Sequence, residues 1–127
     1  MSPAKKTPYA SLLSQLEGGR ARVVVAGLGY VGLPLALLAA ESGMEVAGLD
    51  PSQEKVAGVN AGKSHVEGIS GHRVAEAVGS GRLEATSDSA VLARADVIVI
   101  AVPTPLSPEK APDLTAVRSV CRSVAAR

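Results

Sequence analysis

A chain of 127 residues, 46% hydrophobic and 20% charged, can bury one modest core and is too apolar to be disordered. Its formal charge of +1 leaves no basic footprint for nucleic acid, and with Tyr9 and Tyr30 as its aromatics it has no stacking platform for single strands. One cysteine, Cys121, excludes an internal disulfide or a cysteine-cluster metal site, and no apolar run reaches the length of a membrane span.

The first twenty residues read as an extension. Met1–Pro8 is a loose polar end, and "YASLLSQLEGG" is a short amphipathic helix closed by Gly18 and Gly19. Lys5 and Lys6 are followed by no continuous apolar segment, which argues against a signal peptide and for a cytoplasmic location. From residue 21 to 127 the chain alternates between strand and helix. "ARVVVAG" is a buried strand, and Val31–Ser42 an Ala/Leu-rich helix with Pro34 in its first turn, where a missing N–H does little harm. "MEVAGLD" is a second strand ending at Asp50, followed by a helix over Ser52–Ala61. "GKSHVEGISG" has turn residues without a period and reads as a loop. A helix over His72–Ser80, a strand "RLEATSD" and a short helix over Ser89–Arg94 come next. "ADVIVIAVP" is the most apolar strand, and the Pro-rich loop "PTPLSPEKAPD" leads to a helix capped by Asp113, with Leu114, Val117, Cys121 and Val124 along one stripe.

This alternation predicts right-handed βαβ units and a parallel sheet with both faces buried. Four strands give the order 3-2-1-4, the first half of a doubly wound α/β fold of the Rossmann type plus one strand past the switch point. In such a sheet the turn after strand 1 faces the ligand. Gly27 permits the tight turn, Gly29 lets backbone approach a pyrophosphate, and Gly32 lets the helix pack close to the strand. The helix N-terminus then offers unpaired N–H groups and a positive dipole end to phosphate.

Asp50 lies 18 residues after Gly32, where an acid that accepts from the adenosine ribose diol is expected. A carboxylate there would repel a 2′-phosphate, so the expected dinucleotide is NAD. Asp50, followed by Pro51 and Gln53, also fits a helix cap. Val102-Pro103-Thr104-Pro105 follows strand 4 and reaches the same sheet edge. His65 and His72 lack spaced partners for a metal and read as solvated, Glu67 is a loop acid without a visible partner, and Cys121 reads as core.

"VVVAGLGYVGLPLA", the "EVAGLD" strand with its "GKSHVEGI" loop, "GRLEATSD" and "ADVIVIAVPTPL" resemble the start of the UDP-glucose/GDP-mannose dehydrogenase family of nucleotide-sugar dehydrogenases, from about Leu12 onward. The leading helix, the S-x-V-E loop and VPTPL most resemble the branch acting on UDP-N-acetylhexosamines. The resemblance implies oxidation of the C6 hydroxyl of a UDP- or GDP-sugar to a carboxylate with two NAD in succession. It implies that Gly27, Leu28, Gly29, Tyr30, Val31 and Gly32 surround the pyrophosphate, with Tyr30 and Val31 giving backbone and packing. Asp50 and Lys55 would lie at the adenosine ribose, and Val102, Pro103, Thr104, Pro105 and Leu106 would line the cofactor further along.

The family's nucleophilic cysteine belongs to a Gly-rich motif far downstream, together with its sugar-nucleotide domain. The expectation is therefore a partial, truncated NAD-binding domain with no catalytic residue of its own, working on a UDP-sugar only within a longer chain. A stand-alone NAD-sensing module shares these features, and the downstream reading frame would separate the two. The outer edge of strand 4 is expected to be raw and to promote self-association.

Overall fold

The computed structural model describes residues 7–127; the first six residues of the expected polar end lie outside the described residues. Helix α1 spans Pro8–Glu17, and β1, Arg22–Ala26, leads into α2, Gly32–Glu41. Strand β2, Glu45–Leu49, is followed by α3, Gln53–Asn60, and α4, Gly71–Gly79. Strand β3 is Leu83–Thr86, a six-residue 3-10 segment covers Ser89–Arg94, β4 is Val97–Ile100 and α5 is Thr115–Ala125. All pairings are parallel and the sheet order is β3-β2-β1-β4, as the alternation predicts.

The register places Val24 between Ala47 and Ile98, and Val25 between Gly48 and Val99. Successive side chains take opposite faces, so the valine run serves two cores. Val23 and Val25 pack with Leu33, Leu37, Val46, Val59, Val74 and Leu83 under α2, α3 and α4. Val24 joins Val91, Leu92, Ile98 and Val124 in a smaller cluster under the 3-10 turn and α5. The expectation of two fully buried faces holds for β1 and fails for β4, which is half-buried because it ends the sheet.

Local chemistry sets the helix ends. Thr7 Oγ1 accepts from the Ala10 N–H at 3.1 Å and Pro8 opens α1, so Pro8 belongs to the helix rather than to the polar end. Ser52 and Ser70 cap α3 and α4 in the same way. Asp113 is not the cap of α5; Leu114 holds that position, and the Asp113 carboxylate accepts from the Thr115 hydroxyl at 2.5 Å and its N–H at 2.9 Å. Those bonds, the side-chain one foremost, hold its carboxyl below the usual range.

The stripe of α5 is turned from the expected one: Val117, Val120 and Val124 are half-buried, while Leu114 and Cys121 are exposed. Val120 and Cys121 are neighbours in sequence, and either completes an i, i+3/i+4, i+7 row with Val117 and Val124, so spacing alone does not choose between them. The segment between α3 and α4 is irregular, as expected, yet Val66 is buried and Ile69 packs on the main core. Asn60 at the end of α3 exchanges two 2.9 Å hydrogen bonds with the backbone of Ala85, standing in for a strand beside β3. Among the described residues no helix is long and apolar enough to cross a membrane.

Candidate dinucleotide site

The carboxyl ends of β1, β2 and β4 bring the glycine loop, Asp50 and the Val102–Leu106 loop to one edge of the sheet. Gly27 continues β1, its N–H donating to the Leu49 carbonyl at 2.8 Å, and turns with φ +104°. A Cβ there would stand 2.5 Å from the Ala101 carbonyl oxygen, so the chain leaving β4 runs against the first glycine. A Cβ on Gly32 would stand 1.5 Å from the Gly27 carbonyl oxygen, which is the close helix-to-strand approach expected of the third glycine. A Cβ on Gly29 would meet nothing within 4 Å, so the middle of the loop faces open space.

Among the described residues, the N–H groups of Gly29, Tyr30, Val31 and Gly32 donate to no protein acceptor. Four free donors at the start of the ten-residue helix α2, with open space at Gly29, suit a diphosphate. Tyr30 and Val31 flank them with exposed side chains, 76% and 68% accessible. Leu28 differs from its neighbours. Its side chain is fully buried and both of its backbone polar groups are taken by protein partners, so it shapes the loop rather than offering a group to a ligand.

Asp50 is 6% accessible and a carboxylate is costly to bury without partners. It has two: Oδ2 accepts from the Leu28 N–H and Oδ1 from the Ser52 N–H, each at 2.9 Å. The cap of α3 is Ser52, so Asp50 instead ties the glycine loop to the start of that helix. Each carboxylate oxygen retains a second lone-pair direction.

Lys55 is half-buried in the first turn of α3, beside a hollow of about 660 Å³ lined by Ser52, Lys63, Ser64 and His65. A smaller hollow of about 130 Å³, between Arg22, Glu45, Glu84 and Arg94, lies toward the amino ends of the strands; ligands of open α/β sheets bind at the opposite edge.

Beyond β4, Val102 is half-buried and Pro103, Thr104, Pro105 and Leu106 are exposed. The segment expected as a plain loop is tied into a small hairpin: Leu106 bridges Pro112, Ser107 N–H donates to the Ala111 carbonyl at 2.7 Å, and Asp113 N–H to that of Pro105 at 2.7 Å. His65 is exposed, as the sequence reading expects, and its Nε2 also contacts the glycine loop at the Leu28 carbonyl. No spacing rule could reveal this, because the partner is a backbone group 37 residues away. Among the described residues no cluster of three or more His, Cys, Asp or Glu could hold a metal.

Residues 21–127 match the model of the UDP-glucose/GDP-mannose dehydrogenase family, NAD binding domain. UDP-N-acetyl-D-mannosamine dehydrogenase of Escherichia coli K12 is 42% identical over 106 residues, which is 83% of this chain and 24% of that protein. The enzyme of the same name from Pyrococcus horikoshii is 38% identical over 105 residues, 82% of this chain and 25% of its own length. The crystal structure of a GDP-mannose dehydrogenase ternary complex from Pseudomonas aeruginosa superposes with a TM-score of 0.77 at 35% identity, covering 81% of this chain and 24% of that one. The chain thus spans about a quarter of the length of the relatives it matches.

Proposed function

We propose, from the premise that this chain belongs to the UDP-glucose/GDP-mannose dehydrogenase family, that it holds NAD for the 6-oxidation of a UDP-sugar, a UDP-N-acetylhexosamine or UDP-glucose, to its uronate. Residues 21–127 are the family's NAD-binding domain. NAD accepts hydride in this chemistry; the residues here bind and orient it. The observation that carries the reading is the row of four free N–H donors from Gly29 to Gly32, closed on one side by the buried Asp50 carboxylate. The donors take the pyrophosphate, the remaining lone pairs of Asp50 accept from the adenosine ribose, and Lys55 lies beside that ribose. Val102 to Leu106 line the cofactor beyond.

Calorimetric titration with NAD(H) and NADP(H) tests this. Because a 2′-phosphate would be placed against Asp50, NADP(H) should bind at least about tenfold more weakly, a difference of roughly 1.4 kcal/mol. Equal or tighter binding of NADP(H) would overturn the assignment of Asp50 to the ribose.

The edge of β4 is the second part of the proposal. Among the described residues β4 pairs with β1 alone, and its four residues, VIVI, include no lysine or proline to discourage a further strand. Self-association through this edge follows. Ile98 is unsuitable as a probe, because it packs on Val24 and Leu92. Ile100 is 39% accessible and is the better one. Light scattering over a concentration series should show mass growing with concentration, and Ile100→Lys should keep the chain monomeric. A wild-type monomer throughout the series would exclude the edge as an interface.

A further inference from the structure

The residue between the first two loop glycines is held from three directions. The Leu28 side chain is fully buried beneath Gly48, where a Cβ would stand 2.6 Å from Leu28 Cδ2. Its N–H donates to Asp50 Oδ2 at 2.9 Å. Its carbonyl oxygen is met by Nε2 of His65, from the irregular segment between α3 and α4. That segment is itself anchored: Val66 is buried, and the Ser64 hydroxyl donates to the Val66 carbonyl at 3.0 Å.

A carbonyl can only accept, so the His65 ring must carry a proton on Nε2. The Leu28–Gly29 peptide is trans, and in a trans peptide the C=O and the following N–H point in opposite directions. Holding the Leu28 carbonyl therefore aims the Gly29 N–H, the first of the four free donors.

We propose that His65 is a positioning residue of the dinucleotide site. By donating from Nε2 to the Leu28 carbonyl it fixes the orientation of the Gly29 N–H toward the pyrophosphate. The inference rests on reading the glycine loop as the pyrophosphate site. Asp50 and His65 then act on opposite ends of one residue, and the loop between α3 and α4 becomes part of the cofactor site through the Leu28 backbone.

The test uses the full chain, isotopically labelled, in two arms. Without cofactor, ¹⁵N spectra should show the neutral His65 ring as the Nε2–H tautomer, and amide exchange at Gly29 should quicken in His65→Ala. With NAD, calorimetry should show His65→Ala binding about tenfold more weakly, the loss of roughly one hydrogen bond's worth of preorganisation, with His65→Gln, which keeps an N–H donor, recovering most of it. An Nδ1–H tautomer, or wild-type NAD affinity in His65→Ala, would overturn the proposal. So would equal losses in the Ala and Gln variants with Gly29 exchange unchanged, which is what a merely structural role gives. If the wild-type chain binds no NAD, the pyrophosphate reading fails, while the tautomer and the Gly29 exchange still decide whether the clamp exists.

Discussion

Gly32→Ala should abolish dinucleotide binding and lower folding stability by about 3 kcal/mol or more, at the upper end of overpacking costs. The methyl group would stand 1.5 Å from the Gly27 carbonyl oxygen, and both partners are backbone. A crowded side chain can change rotamer; a peptide carbonyl at the end of β1 cannot. Relief requires α2 to move away from the sheet, which uncovers Leu33 and Leu37 and displaces the free N–H groups at its start. Thermal unfolding should fall by about 10 °C or more for a domain of this size. Gly29→Ala is the control. Its Cβ would meet no protein atom within 4 Å, so stability should stay within about 0.5 kcal/mol of wild type while NAD binding falls. A Gly32→Ala protein with wild-type melting and NAD affinity would mean that the loop is softer than its packing indicates.

The contrast between these glycines shows which parts of the molecule were legible in the sequence. Gly27, Gly29 and Gly32 follow a valine run and open an Ala/Leu helix, and that order alone separates their three roles. The strand order was legible for the same reason, since apolar runs alternating with helical periods leave few right-handed arrangements. What was not legible involved competition between neighbours or partners without a sequence signature. Val120 and Cys121 both continue the row through Val117 and Val124, and packing chose the valine. Asp50 fitted either a cap or a ligand acid; in the folded chain Ser52 caps α3 and Asp50 binds the loop. His65 reaches a carbonyl, and carbonyls look alike at every position. The hairpin from Leu106 to Pro112 stands on backbone bonds and on Lys110 at φ +61°, a conformation that no periodicity announces.

Asp50→Ala should weaken NAD binding by about 1–3 kcal/mol, roughly 5- to 150-fold, and also destabilise the free chain. The destabilisation arises because the carboxylate serves the protein before any ligand arrives. Its removal leaves the N–H groups of Leu28 and Ser52 without their 2.9 Å acceptors. The Leu28 group lies in a buried region with no evident replacement. An unsatisfied buried donor costs about 1–3 kcal/mol, so the fold and the site should weaken together. Asp50→Asn separates the two effects. The amide has one acceptor oxygen, so it can satisfy one of the two N–H groups, and stability should fall less than in the alanine variant. It also removes the negative charge, and with it the repulsion of a 2′-phosphate. NADP(H) affinity should therefore rise toward that of NAD(H) in Asp50→Asn, even as NAD(H) affinity itself declines. Melting curves and paired titrations of the three proteins measure both quantities. If the gap between the two dinucleotides in Asp50→Asn stays as wide as in wild type, charge at position 50 does not set the preference. Asp50 would then be a brace for the glycine loop, and discrimination would have to come from the shape of the pocket beside Lys55.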